Sequence, residues 1–131
     1  MHITLLYAGL AALLFVALSV RTLLLRRKLG IVIGDRGNEA MLRAMRVHAN
    51  FAEYVPLSLL LLFLVEATGG SPLLVHSLGA AILAGRVSHA VGVSRIDEHH
   101  AFRVVGMALT LAPLVVASAR LLRVFASANT V

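Results

Sequence analysis

The sequence predicts an all-α integral membrane protein, a four-helix bundle whose helices run up-down-up-down. Hydrophobic residues make up 60% of the 131 residues and charged residues only 14%. A soluble domain of this length has no interior large enough to hide so much apolar surface, whereas lipid solvates it. Four apolar runs, each long enough to span a bilayer, are separated by three short polar connectors. One membrane domain over residues 1–131 therefore accounts for the whole sequence.

The first two spans differ in their polarity. The first covers residues 3–25 and carries no charge before Arg21. No basic region precedes this run and no small-residue cleavage pattern follows it, so a spanning helix is favoured over a signal peptide. The second covers residues 38–66, amphipathic for its first four turns and apolar afterwards. Asn38 is expected to cap this helix, and Pro56 is expected to kink it.

The last two spans follow clear helix signals. The third covers residues 72–92, with Ser71 as its cap and Pro72 at its first helical position. It is rich in Gly and Ala, Gly85 among them, and such small residues let membrane helices approach closely. The fourth covers residues 101–122 and completes the bundle.

Positive charge in the connectors predicts the orientation of the bundle. The first and third connectors with their flanks hold most of the cations, whereas the second connector holds none. The positive-inside rule therefore places connectors one and three in the cytoplasm and both the N- and C-termini on the non-cytoplasmic side. Arg120 and Arg123, near the end of the fourth span, oppose this orientation but are too few to reverse it.

Several classes of function and site are disfavoured. The net charge of +6 would suit nucleic acid, but the cations cluster at the ends of apolar runs, where anionic lipid headgroups lie. Without cysteine there is no disulfide and no thiolate metal site. The spacing of Asp97, Glu98, His99 and His100 fits no standard ligand pattern, so no metal site is predicted there. No catalytic triad or glycine-rich phosphate loop is found.

A polar stripe occupies one face of the second span, at its predicted cytoplasmic end. At about 100° per residue, its six members fall within about 100° of one another on a helix. They are Glu39, Arg43, Arg46, Asn50, Glu53 and Tyr54. Arginine binds carboxylates through two N–H groups, asparagine offers a donor and an acceptor, and glutamate can hold an ammonium group. The stripe therefore suits a small zwitterion with several carboxylates.

Three more polar residues lie near the same end of the bundle. Arg86 and His89 are three residues apart in the third span, and Arg103 opens the fourth. Each has a simpler interpretation: an interface cation for Arg86, an interhelical hydrogen bond for His89 and a headgroup anchor for Arg103. The stripe has another interpretation too. Its charged residues could form ion pairs with other helices, such as Glu53 with Arg86 or Arg103, that hold the bundle together. His48, on the opposite face of the second span, is expected to contact a neighbouring helix.

The run from residue 43 to residue 56 resembles the signature of the MAPEG family (membrane-associated proteins in eicosanoid and glutathione metabolism), especially its small bacterial members. The spacing Arg-x3-Asn-x2-Glu-Tyr-x-Pro is specific, and the four-span pattern matches over essentially the whole chain. Residues 85–89 are similar to the family's third-helix pattern. Arg103 resembles the arginine that polarises the glutathione thiol in catalytic members.

The resemblance implies a homotrimer in the bacterial inner membrane, multi-pass and surrounded by lipids; a nucleic acid partner is already disfavoured by the position of the cations. Glutathione, as cosubstrate, would bind between neighbouring subunits at the cytoplasmic end. The implied binding residues are Arg43, Arg46, Asn50, Glu53, Tyr54, Arg86 and His89. Arg103 would be catalytic, because a cation beside the thiol stabilises the thiolate. The thiolate would attack a lipophilic small-molecule electrophile from the bilayer, as in a membrane glutathione transferase or peroxidase.

Two other functions remain open. Several catalytic members of the family have a glutathione-contacting tyrosine where this chain has Val93, and some relatives with this fold bind lipids without catalysis. A non-catalytic lipid- or ligand-binding protein is therefore the alternative. A small proton-coupled transporter is the third possibility, but such proteins typically place an essential carboxylate in the first helix. Residues 1–20 contain no acid, and Glu53 lies among arginines.

Overall fold

The computed structural model of the protein describes residues 2–94 and 100–129 and contains four α-helices. Their bounds are α1 Ile3–Leu29, α2 Glu39–Ala67, α3 Pro72–Ser94 and α4 His100–Ala128. Each is long and apolar enough to cross a membrane, and the described residues contain no strand. The predicted all-helical bundle with four spans is confirmed. Which side of the membrane the termini occupy stays a prediction.

The helix ends follow local chemistry. The Asn38 side chain caps α2, as predicted, by accepting a hydrogen bond from the Met41 N–H at 3.0 Å. Ser71 caps α3 through the Leu74 N–H at 3.3 Å, with Pro72 as the first residue of α3. α2 continues through Pro56 as one helix, and the kink expected there stays a prediction.

Two helices run at least one turn further than expected. α1 extends past residue 25 to Leu29, because arginine and lysine are good helix formers and the next three residues after residue 25 are all basic. It ends at Gly30, whose positive φ of 65° lets its N–H bond back to the last turn. α4 likewise extends past residue 122 to Ala128.

The central helices of the bundle are α2 and α3. Within the described residues, α1 packs on α2 and α3, α4 packs on α3 and α2, and the backbones of α1 and α4 do not come close to each other. Two clusters of buried apolar side chains fill these contacts. One contains Ala11, Leu18, Val47, Phe51 and Val55, and the other Leu62, Val65, Val75, Leu78 and Ala117. Many leucines and valines of α1 and α4 stay exposed, as expected for helices in lipid.

α3 and α4 approach each other most closely where both carry glycine. A Cβ atom at Gly85 would lie 2.9 Å from the carbonyl oxygen of Gly106. A Cβ atom at Gly106 would lie 2.6 Å from the backbone nitrogen of His89. Backbone atoms cannot move away from such contacts cheaply, so the small residues set the distance between these helices. This close approach brings the end of α3 against the beginning of α4.

α1 is held to α2 by a polar contact on the face of α2 opposite the predicted stripe. The Nε2 atom of His48 lies 2.9 Å from the Oγ of Ser19, and the imidazole ring stacks on Phe15 with centroids 4.8 Å apart. The prediction that His48 contacts a neighbouring helix is therefore confirmed.

Polar groups at the end of the bundle where α1 begins are bonded mainly to backbone. The carboxylate of Glu66 accepts hydrogen bonds from the N–H groups of Ile3 at 3.1 Å and Thr4 at 3.0 Å. Arg120 donates to the carbonyl oxygen of Thr68 at 3.2 Å. We call this region the Glu66 end; its polar groups complete the termini of helices.

Candidate functional site

A pocket of about 440 Å³ opens at the other end of the bundle, where α2 and α4 begin and α3 ends. Three helices line it, with Glu39, Leu42, Arg43, Arg46 and Asn50 from α2, His89 and Val93 from α3, and Arg103 and Met107 from α4. Its volume is typical of a small-molecule site. We call it the arginine pocket, after Arg43, Arg46 and Arg103.

Helical spacing explains why the α2 residues share the pocket. Arg43, Arg46 and Asn50 are three and four residues apart and therefore lie on one face of the helix. Arg43 forms an ion pair with Glu39 one turn earlier, with 2.8 Å between Nη2 and Oε1. Its Nη1 also lies 3.4 Å from the carbonyl oxygen of Val93, which links α2 to the end of α3. Arg46 is an exposed cation at the pocket wall.

Arg86 lies behind the pocket rather than in its wall, and only 2% of its surface is exposed. Its Nη1 donates to the Oδ1 of Asn50 at 2.6 Å, and its Nε donates to the Oγ1 of Thr110 at 2.9 Å. A longer contact of 3.4 Å joins Nη2 to the carbonyl oxygen of Gly106. These neutral acceptors connect α2, α3 and α4 through one guanidinium group.

The two predicted residues furthest along the stripe do not line the pocket. The ring of Tyr54 lies under Arg86, with 5.3 Å between the guanidinium carbon and the ring centroid, a cation–π distance. Glu53 is exposed and is not among the residues of the pocket wall. The alternative pairing of Glu53 with Arg86 is not found, since Arg86 donates to neutral groups instead. The roles of Glu53 and Tyr54 in ligand binding stay predictions.

The charges in the wall favour an anion. Among the described residues, three arginines and one carboxylate line the pocket, and that carboxylate, Glu39, is paired with Arg43. A cavity lined by one sign of charge at a low-dielectric surface raises the local concentration of the opposite ion. Arginine also binds carboxylates in a bidentate manner. The arrangement can therefore hold a small ligand with more than one carboxylate, while Leu42 and Met107 offer apolar contacts.

Five of the site residues predicted from the sequence lie in one cavity, but two residues of α4 were not predicted. The five that line the pocket are Arg43, Arg46, Asn50, His89 and Arg103. Met107 lines it too, and Thr110 holds Arg86 from behind. The spacing of Arg103, Met107 and Thr110 by four and three residues places them on one face of α4 and could have identified them.

The connector that carries Asp97, Glu98 and His99 lies outside the described residues, as does Arg95. The prediction that this connector holds no metal site therefore stays a prediction. Among the described residues, no group of three or more His, Asp or Glu side chains is placed to hold a metal ion.

Known proteins resemble this chain over most of its length. The model of the MAPEG family matches residues 4–123. The inner membrane protein YecN of two Escherichia coli strains is 36% identical to it over 98 residues, which are 75% of this chain and 72% of the relative. No solved structure matches the chain. With four helices of membrane length, these similarities make it a multi-pass protein of the bacterial inner membrane.

Proposed function

Because the chain belongs to the MAPEG family, we propose that it binds glutathione in the arginine pocket and uses it as a cosubstrate. The observation that carries the proposal is the convergence of charged and polar side chains from three helices on one cavity. Arg43, Arg46 and Asn50 of α2 meet His89 of α3 and Arg103 of α4 there. Glutathione carries two carboxylates, an ammonium group and a thiol, and this wall offers mainly donors to carboxylates.

Arg103 is the residue that we assign to the thiol. It lies in the first turn of α4 and lines the same pocket as the α2 arginines. A guanidinium beside the sulfur favours transfer of the thiol proton to solvent water, because it stabilises the thiolate charge. The thiolate then donates an electron pair to an electrophilic carbon of the second substrate. A carbon–sulfur bond forms, and the leaving group departs with the electrons of the bond that breaks.

The second substrate is a lipophilic electrophile that reaches the pocket from the bilayer. Leu42, Val93 and Met107 form the apolar part of the wall, and all three belong to helices that continue into the membrane. A polar cosubstrate from the cytoplasm and an apolar substrate from lipid would meet where water and membrane meet. The protein is therefore proposed to be a glutathione transferase or peroxidase.

The assembly that we propose is a homotrimer. Glu53 is exposed on α2, three residues beyond Asn50 of the pocket wall. In a trimer with the site between subunits, this carboxylate would face the neighbouring subunit and hold the ammonium group of its glutathione. Cross-linking in membranes tests the assembly: a ladder that ends at three subunits is expected, and one that ends at a single subunit would overturn it.

A second candidate function is supported by Val93. This residue lines the pocket at a position where, by resemblance, several catalytic relatives have a tyrosine that contacts glutathione. The apolar side chain offers no hydrogen bond, so the pocket could hold a ligand without activating it. A non-catalytic ligand-binding protein of the same fold is therefore the alternative.

Thiolate formation separates the two candidates. Purified protein in detergent is mixed with glutathione, and the thiolate absorbance band is recorded together with the conjugation of a reactive aryl halide. A band and measurable conjugation are expected for the transferase. Saturable binding of glutathione with neither signal would favour the non-catalytic protein, and no binding at all would overturn the proposed function.

A further inference from the structure

We propose that Arg86 is a positioning residue that fixes the amide of Asn50, so that the arginine pocket presents an oriented hydrogen-bond donor to a carboxylate of the ligand. This inference rests on the proposed function, because the ligand used to test it is glutathione. It assigns to Arg86 a role behind the wall of the pocket rather than a contact with the ligand.

The orientation of the Asn50 amide follows from the chemistry of its partner. Arginine carries five N–H donors and no acceptor, so the atom that faces it must be the amide oxygen. The Nη1 of Arg86 lies 2.6 Å from the Oδ1 of Asn50, and the hydrogen bond is charge-assisted because its donor is ionised. The reverse amide orientation would bring two N–H groups together and is excluded.

The same asparagine also contributes to the wall of the pocket. Asn50 lines the cavity, whereas Arg86 does not. With Oδ1 held by Arg86, the Nδ2 group remains to donate to a ligand. An amide that could rotate would offer either a donor or an acceptor, whereas a fixed amide offers only the donor. The pocket therefore favours a carboxylate at this position over an ammonium group.

Arg86 is itself held in place from α4. The hydroxyl of Thr110 donates its single proton to the carbonyl oxygen of Gly106 at 2.9 Å, so it can only accept from the Nε of Arg86. Thr110 is fully buried, and Arg86 is 2% exposed, so water does not compete for these bonds. Through Arg86, the Asn50 amide is therefore linked to α4, the helix that carries Arg103. This link fixes the α2 wall of the pocket relative to the α4 wall.

The neutral partners of Arg86 also preserve the charge of the pocket. A buried cation is usually paired with a carboxylate, which would cancel its field. Here the partners are an amide, a hydroxyl and a carbonyl oxygen, with the face of Tyr54 nearby. The positive charge of Arg86 therefore continues to attract an anion to the cavity in front of it.

A double-mutant cycle tests this role through glutathione affinity, measured by calorimetric titration of the detergent-solubilised protein. Thr110→Val removes the acceptor that holds Arg86 but leaves the wall of the pocket unchanged, and Asn50→Ala removes the donor. Each single substitution is expected to weaken binding, Asn50→Ala by about tenfold or more, as for a hydrogen bond to a charged group. The double variant is expected to bind no more weakly than Asn50→Ala alone.

Two further variants sharpen the cycle. Ser58→Ala is the matched control, because Ser58 is also a buried hydroxyl but bonds to the backbone of Tyr54 and not to Arg86; unchanged affinity is expected. Asn50→Asp replaces the donor by a carboxylate that pairs with Arg86. It should keep or raise the melting midpoint and still lose at least about tenfold in affinity for glutathione.

The outcomes separate this inference from the function on which it rests. If the wild-type protein binds glutathione but the effects of Thr110→Val and Asn50→Ala on affinity are independent, the inference is overturned and the proposed function is not. Wild-type affinity in Asn50→Asp would do the same, and this variant decides the matter if Thr110→Val does not fold. No binding by the wild-type protein would overturn the proposed function and the inference together.

Discussion

The two ends of the bundle use their polar side chains in opposite ways. At the Glu66 end, Glu66 accepts hydrogen bonds from the first N–H groups of α1, and Arg120 donates to the carbonyl oxygen of Thr68. At the other end, Arg46 and Arg103 line an open cavity, and a buried Arg86 supports its wall. Polar groups that bond to helix termini stabilise the fold. Those that surround a cavity line the place where we propose that a ligand binds.

This difference separates candidate functional residues from structural ones within a single membrane protein. An ionisable side chain in a spanning helix is costly at either end, so its cost alone does not identify a functional site. Its partners do. Substitutions at the Glu66 end should change stability and leave ligand affinity unchanged, and substitutions at the arginine pocket should do the reverse.

The largest effect is expected from Gly85→Leu, which forces α3 and α4 apart and would remove the arginine pocket as a whole. A Cβ atom at this position lies 2.8 Å from the Oγ1 of Thr110 and 2.9 Å from the carbonyl oxygen of Gly106. We expect loss of the oligomer and of glutathione binding, measured by size-exclusion chromatography and titration. Gly9→Leu is the matched control, since a Cβ atom there meets nothing within 4 Å. A Gly85→Leu protein that still forms the oligomer and binds glutathione would refute the close packing of α3 on α4.

The next largest effect is expected from Arg103→Ala on catalysis. Loss of a preorganised charge beside the reacting sulfur should lower the conjugation rate by about 100-fold or more and abolish the thiolate absorbance band. Arg123→Ala, an exposed arginine at the other end of α4, is the control and should leave both unchanged. Equal rates in the two variants would show that Arg103 is not the thiol-activating residue.

Arg46→Ala should weaken glutathione binding by about tenfold to a hundredfold, the loss expected for one charge-assisted hydrogen bond. Insertion and thermal stability should not change, because Arg46 is exposed at the wall of the pocket and insertion depends on the apolar runs. Calorimetric titration and a thermal unfolding curve measure the two quantities separately. Unchanged affinity would remove Arg46 from the site.

The smallest effect on binding is expected from Glu66→Ala. This substitution tests the contrast at the Glu66 end rather than at the arginine pocket. The substitution removes the acceptor for the N–H groups of Ile3 and Thr4, so the first turn of α1 should fray and the melting midpoint should fall. Glutathione affinity should equal that of the wild-type protein. A loss of affinity comparable to that of Arg46→Ala would mean that the two ends are not independent.

Local signals made much of the fold predictable from the sequence. Asn38, Ser71 and Pro72 act through neighbours within one turn, so residue type and position were enough to place both helix starts. The close approach at Gly85 was predictable for the same reason, because the absence of a side chain has a direct steric meaning. The extension of α1 to Leu29 was not predicted, because a run of basic residues is equally typical of a polar connector.

The candidate site was predictable only in part. A helical wheel places Glu53 and Tyr54 at opposite edges of the polar sector of α2, and the pocket covers only its middle. The network around Arg86 was not predictable, since it depends on how closely α3 approaches α4. Spacing alone places Thr110 on the same face of α4 as Arg103, but its hydrogen bond to Arg86 could not be predicted without knowing how α3 packs on α4.

Calorimetric titration of glutathione into the wild-type protein, Arg46→Ala and Glu66→Ala tests the central claim most directly. Saturable binding is predicted for the wild-type protein and for Glu66→Ala with the same Kd, together with a Kd about tenfold or more higher for Arg46→Ala. The absence of binding in the wild-type protein, or the same Kd in all three, would contradict the assignment of the arginine pocket as the glutathione site.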